Sequence, residues 1–183
     1  MKIAEYKKLH PEPMRQVTLC LLVRGDEVLL AMKKRGFGAG KWNGVGGKLN
    51  PGEDLETAAR REAEEEIGVK MKELRMMGTL GFYFPTKPEW SQEVVVFSCE
   101  SWEGDPVETG EMAPKWYNKK KLPFDRMWWD DELWMPKVLA GKTIRAEFMM
   151  EEDDKPGEYE IREIGQVDVM RPAGVGEGSW QYG

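Results

Sequence analysis

The residues best suited to chemistry lie between Gly47 and Val69, in the stretch GKLNPGEDLETAARREAEEEIGV. On a helix turning about 100° per residue, Glu62 and Glu66 fall on the same side as Leu55, Ala58 and Ala59. Glu65 sits at the edge of that face and Glu64 turns away. Three acids at spacings of three and four repel one another, and near a helix C-terminus the macrodipole adds to the cost. A divalent cation offsets both, and hard ions such as magnesium, with manganese as the alternative, take oxygen ligands. Arg61, four residues before Glu65, is placed to hold that carboxylate still. A solvated acidic helix is the simpler explanation of a charge run. The small apolar residues that share the face with the acids weigh against it.

Directly before this helix, Lys33 to Gly47 (KKRGFGAGKWNGVGG) mixes glycines with basic and aromatic residues. Such a loop lets backbone approach a ligand closely. Lys33 and Lys48 can pair with phosphate oxygens, Gly46 can offer its carbonyl to a metal, and Asn43 carries both the donor and the acceptor needed to read a base edge. An acidic metal group beside a lysine-bearing glycine loop suits attack by water on a phosphoanhydride, with a spare carboxylate taking the proton.

These residues need a scaffold. Asn50, Pro51 and Gly52 signal a turn, Asp54 a helix cap, and Gly68 the helix end. Gln16 to Val23 and Glu27 to Met32 look like a hairpin around Gly25-Asp26. Leu74 to Phe84 and Glu93 to Cys99 read as strands, Trp116-Tyr117 as the start of another, and Trp102 to Pro114 as an acidic loop containing Glu111. Asp130 onward reads as a second helix ending before Gly141, and Ile144 to Met150 with Glu158 to Ile164 as a final hairpin. The pattern predicts an α+β fold, a mixed sheet packed between two helices. Residues 1–14 read as a polar extension, 15–165 as the domain, and 166–183 as a loose glycine-bearing tail.

At 183 residues and 40% hydrophobic content the chain suits one domain with a real core. Its net charge of −6 argues against a duplex nucleic-acid partner. His10 is the one histidine, which leaves little material for histidine-based metal sites or activated nucleophiles. Cys20 and Cys99 lie in apolar runs without CxxC spacing, as buried free thiols would in a reducing cytoplasm. No run is long and apolar enough to span a membrane. A soluble monomer acting on a small nucleotide is the expectation.

The spacing Gly47, five residues, Glu53, seven residues, Arg61-Glu62, Ala63, one residue, Glu65-Glu66, one residue, Gly68, Val69 resembles the Nudix box, with every fixed position filled. The likeness extends through Met32 to Lys48, Pro106 to Met112 (PVETGEM) and Met127 to Trp134 (MWWDDELW). It is similar to the MutT-like branch of that family, which implies a Nudix α/β/α sandwich and hydrolysis of oxidised purine nucleoside triphosphates to monophosphate and pyrophosphate. The resemblance assigns Gly46, Glu62, Glu65, Glu66 and Glu111 to the metal. It puts Lys33 and Lys48 near phosphate, and Thr18, Asn43, Trp128, Asp130 and Asp131 near the base. Independently, an indole can stack on a purine, and two adjacent aspartates in an aromatic pocket cannot easily both ionise, so one can donate. The simpler reading is that the aspartates merely begin a helix. The chain departs from the family pattern at Trp129, where a proline is expected, and at Gln92, where a pocket methionine is expected. The loop Phe84 to Gln92 is also slightly longer. A Nudix hydrolase of another nucleotide, or a binding module without catalysis, are the competing readings.

Overall fold

The computed structural model of the protein describes residues 1–151, 156–166 and 168–170. Strand β1 (Arg15–Arg24) turns through Gly25, whose φ of 53° suits a residue without Cβ, into β2 (Glu27–Lys33), the expected hairpin. A two-residue strand β3 (Trp42–Asn43) and helix α2 (Leu55–Ile67) follow, then β4 (Lys70–Tyr83), β5 (Gln92–Glu103) and β6 (Met112–Asn118). Helix α3 (Asp131–Leu139) and the hairpin of β7 (Thr143–Met150) and β8 (Pro156–Ile164) complete the domain.

The strands form one mixed sheet in the order β3-β2-β1-β5-β4-β7-β8, with β6 also paired to β2. β1 runs parallel to β5 and β4 parallel to β7, and the other pairs are antiparallel. Because side chains alternate across a strand, the sheet has two buried faces. Cys20, Leu22, Val95 and Phe97 pack with Ala59, Ala63 and Ile67 of α2. Leu21, Val23, Val94 and Val96 pack with Trp134, Met135 and Val138 of α3. The two cysteines are free and buried.

Several boundaries differ from the sequence reading. β4 starts at Lys70, ahead of Leu74, because Met71 is buried beneath α2. β6 starts at Met112, ahead of Trp116. Pro114 obscured it, but β6 pairs only with β2, and an edge strand tolerates a residue without an N–H. The expected polar extension holds a third helix, α1 (Ile3–Leu9), whose Ile3 and Tyr6 are buried against Tyr83 and Met149. At the other end Gln166 donates to the Met76 carbonyl at 3.1 Å and Val169 is buried, so this part of the expected tail is packed. Residues 171–183 lie outside the described residues. Among the described residues no helix is long and apolar enough to cross a membrane.

Candidate active site

Helix α2 forms where its sequence directs it. Asp54 caps it by accepting from Thr57 N–H at 2.8 Å, and Gly68 closes it with a left-handed φ of 73°. The buried face of the helix carries Ala58, Ala59, Ala63, Glu66 and Ile67, so one carboxylate is buried among small apolar residues.

Arg61 organises the neighbouring acids. Its Nε and Nη2 make a bidentate pair with Glu53 at 2.8 and 2.9 Å, Nη1 reaches Glu62 at 2.9 Å and Glu65 at 3.2 Å, and Nη2 donates to the Lys48 carbonyl at 3.0 Å. One planar guanidinium thereby fixes three carboxylates and the end of the glycine loop. Glu65 is the weakest of these partners, and Glu53, absent from the expected site residues, is the strongest. Its signal was its fixed position eight residues ahead of Arg61. The guanidinium holds the Glu53 carboxyl down at about 2. Glu66 is treated in the opposite way: burial, with Glu62 and Glu111 nearby, pushes it up to about 8 even though Gly46 N–H donates to it at 3.0 Å.

The glycine loop crosses β1. Thr18 N–H donates to the Gly47 carbonyl at 2.8 Å, and the Cys20 and Val45 backbones exchange hydrogen bonds at 2.6 and 3.1 Å. At Gly47 an added Cβ would lie 2.6 Å from the Glu62 carboxyl, and at Gly46 it would meet the Thr18 carbonyl. Thr18 itself, assigned to the base by resemblance, points to the α2 side with Cys20 and Leu22. Its hydroxyl lies 3.3 Å from the Gly47 carbonyl and 3.4 Å from its N–H. In this structure its hydroxyl supports the glycine loop at Gly47. Lys33 is half-buried and within electrostatic reach of Glu66, and the Lys48 side chain is exposed.

Glu111 reaches the same region from the loop before β6. The Thr109 hydroxyl donates to the Glu66 carbonyl at 2.8 Å and accepts from the Glu111 and Met112 N–H groups, tying this loop to the end of α2. Arg35 pairs with the Glu111 carboxylate at 3.2 Å. Neither Thr109 nor Arg35 stood out in the sequence, because their roles depend on contacts between distant segments.

Among the described residues no three acidic, histidine or cysteine side chains converge closely enough to hold an ion. Like-charge repulsion spreads them, and Arg61 draws Glu62 and Glu65 to itself. The donor set nonetheless fits a hard divalent cation: all its atoms are oxygens, and burial of the Glu66 carboxyl outweighs what Lys33 and the Gly46 N–H do to favour its ionised form.

The second part of the site sits where α3 begins. Asp130 and Asp131 are 3% and 2% exposed. They do start the helix, but Asp130 makes no side-chain cap bond. Its Oδ2 instead accepts from the Trp134 indole N–H at 3.1 Å, while Asp131 Oδ2 accepts from Trp128 N–H at 3.0 Å. Burial raises both carboxyls, and each disfavours ionisation of the other. Lys41 eases this for Asp131. Its ammonium lies 4.7 Å from the Trp128 ring centre and donates to the Met127 carbonyl at 3.2 Å. Phe37, 61% exposed at the tip of the glycine loop, stacks on Trp128 with centroids 5.1 Å apart. Lys41 and Phe37 were both passed over in the sequence, hidden in a loop read for its glycines and lysines. Asn43, paired with Ala31 across β2 and β3, uses its side-chain oxygen on Gly44 N–H at 2.8 Å.

The NUDIX domain family model matches residues 13–138. An oxidized purine nucleoside triphosphate hydrolase of Danio rerio is 44% identical over 148 residues, covering 81% of this chain and 94% of that protein. One of the same name from Mus musculus is 41% identical over 82% of this chain and 96% of its own length. Among solved structures, the MutT protein from Bacillus halodurans superposes with a TM-score of 0.72 at 25% identity, covering 81% of this chain and 97% of that one.

Proposed function

The chain belongs to the Nudix hydrolase family, and from that premise we propose that it hydrolyses nucleoside triphosphates carrying an oxidised purine, releasing the monophosphate and pyrophosphate. The observation that carries the choice of base is the buried aspartate pair at α3, whose burial raises both carboxyls and so favours retention of a proton beside an aromatic wall. A pair that holds one proton presents both a donor and an acceptor. It can therefore match the edges of an oxidised guanine and of an oxidised adenine, which differ in donor pattern.

Gly46 through its carbonyl, with Glu62, Glu65, Glu66 and Glu111, would hold a divalent ion, which we take to be magnesium. When bound, the ion supplies neutralisation of phosphate charge and a lowered pKa for water. The chain's own residues do the rest. Lys33 and Lys48 anchor the phosphate chain, and Arg61 orients Glu62 and Glu65 while Glu53 orients Arg61. A glutamate not consumed in coordination accepts the proton of the attacking water. Trp128 stacks on the base, Asn43 and the aspartates read its edge, and the desolvated pocket makes a mismatched edge costly. We take the working form to be a monomer. The buried free thiols suit the cytoplasm.

The test is a panel of normal and oxidised nucleotides with magnesium, run in oxygen-18 water. Label in the monophosphate or the pyrophosphate, with fastest turnover of an oxidised purine, is the expected result. Labelled orthophosphate as the first product, or equal turnover of normal nucleotides, overturns it.

A further inference from the structure

Helix α1 lies ahead of the residues matched by the family model, yet its contacts lead toward the base side of the site. The buried Tyr6 brings its hydroxyl 2.7 Å from Ser91 Oγ, and Ser91 Oγ in turn accepts from Phe84 N–H at 3.0 Å. Ser91 is itself buried. The helix is pinned around this contact. Ile3 N–H donates to Glu158 at 2.6 Å, and Lys7 and the Tyr83 hydroxyl both reach Glu147 Oε1 at 2.6 Å.

Phe84 and Ser91 bound the loop that sequence reading found longer than expected. It is closed by backbone bonds from Lys87 to Phe84 at 3.1 Å, Trp90 to Lys87 at 2.8 Å and Ser91 to Pro88 at 3.0 Å. Its product is the placement of Trp90, 40% exposed, edge-on to Phe37 with centroids 5.6 Å apart. Phe37 then stacks on Trp128. Gly36 and Gly38, on either side of Phe37, have φ of 78° and 82°, and backbone bonds from Ala39 to Gly36 at 3.1 Å and from Lys41 to Gly38 at 3.0 Å hold this tip so that the Phe37 ring meets both Trp90 and Trp128.

We propose that α1 is a positioning element of the nucleotide site. Tyr6 and Ser91 act through Trp90, which with Phe37 forms the outer wall against which the base is held. This rests on the preceding assignment of the Trp128 side to the base, but not on the identity of that base.

Steady-state kinetics of the full chain test it, using whichever nucleotide of the panel the parent turns over best. A parent that prefers a normal or pyrimidine base refutes the preceding proposal and leaves this measurement intact, since any base meets the same wall. Trp90→Ala is expected to raise KM at least about fivefold with kcat within about twofold, and Trp90→Phe to restore most of the loss. Tyr6→Phe, which keeps the packing and removes one hydroxyl, is expected to raise KM about two- to threefold alone and to add nothing in the Trp90→Ala background. Urea unfolding, in contrast, should register Tyr6→Phe equally in both backgrounds. Unchanged KM in Trp90→Ala overturns the proposal. So do multiplying KM effects in the double variant, which would mean that Tyr6 does not act through Trp90.

Discussion

Glu53, just ahead of α2, and the aspartates that open α3 are shifted in opposite directions. Beside α2 one guanidinium lies within 3.2 Å of Glu53, Glu62 and Glu65, and its bidentate pairing drives the Glu53 carboxyl down to about 2. At α3 the walls are Trp134, Trp128 and the sheet core, and the aspartate pair is raised by burial. Glu66 belongs to the first group by position and to the second by environment. A polyphosphate needs permanent charge to organise its counter-ion, whereas a base edge needs a donor and an acceptor. Under the proposed function, the two ends of one elongated substrate are matched by two ways of treating a carboxyl.

The comparison breaks most sharply at Glu66. Glu66→Gln is expected to lower kcat at least about a hundredfold, the scale on which a lost acid or base group acts. Without metal the same variant should be no less stable than the parent. A carboxyl raised from 4.5 to about 8 burdens the folded state progressively as pH rises between those values, and glutamine removes that burden. Turnover with magnesium and with chelator, together with urea melts, reads both halves; full turnover by the variant would remove Glu66 from the metal group.

At the other end, Asp130→Asn and Asp131→Asn fix one donor pattern and abolish proton exchange. Each is expected to reduce kcat/KM for at least one oxidised purine nucleoside triphosphate by at least about tenfold, roughly 1.4 kcal/mol. The loss should be unequal between guanine and adenine forms, with the metal requirement unchanged. Equal turnover of every nucleotide by both variants would reduce the pair to a helix start.

Stability against pH should separate the regions by sign. The aspartate pair, raised in the folded state, detracts as pH climbs above the ordinary aspartate range, by at most about 1.4 kcal/mol per pH unit for each proton retained. Asp131→Asn flattens that decline. Glu53, lowered in the folded state, contributes above its ordinary value near 4.5, and the contribution is lost as pH falls through about 2. Glu53→Gln flattens that acid limb and leaves the neutral limb alone. Thermal melts of metal-free protein from pH 2 to 8 measure both slopes. The smallest effect expected is at Asp54, where alanine removes a cap and costs about 1 kcal/mol of stability without altering base preference.

The same contrast explains what could be read from the sequence. The α2 site is written in spacings shorter than a few helical turns, so its face, its cap, its glycine stop and the box itself were visible. So were the first and last hairpins, where alternation and turn residues coincide. Arg61 was seen as a partner of Glu65 because only the helix repeat was in view. Its bidentate hold on Glu53 needs the turn at Asn50 to Gly52 folded back on the helix. Thr18 was assigned by resemblance alone, and strand alternation together with the crossing of the glycine loop turns it toward Gly47. On the base side the aspartates and Trp128 were legible, but Phe37, Trp90 and Lys41 come from loops that meet only in three dimensions. Helix α1 was missed because seven residues with two buried side chains leave too little periodicity to see.

The bond from Ile3 to Glu158 joins residues 155 positions apart, and this gives the molecule an order in time. The first hairpin and α2 rest on neighbours and can organise early, because closing a short loop costs little chain entropy. β1 must wait for β5, whose Gln92 stands 77 residues beyond Arg15, and α1 must wait for β8. Helix α1, which precedes every strand of the sheet in the chain, is therefore among the last elements to dock. Its hydrogen bonds to Ser91 and Glu158 draw on chain from both the middle and the end of the domain.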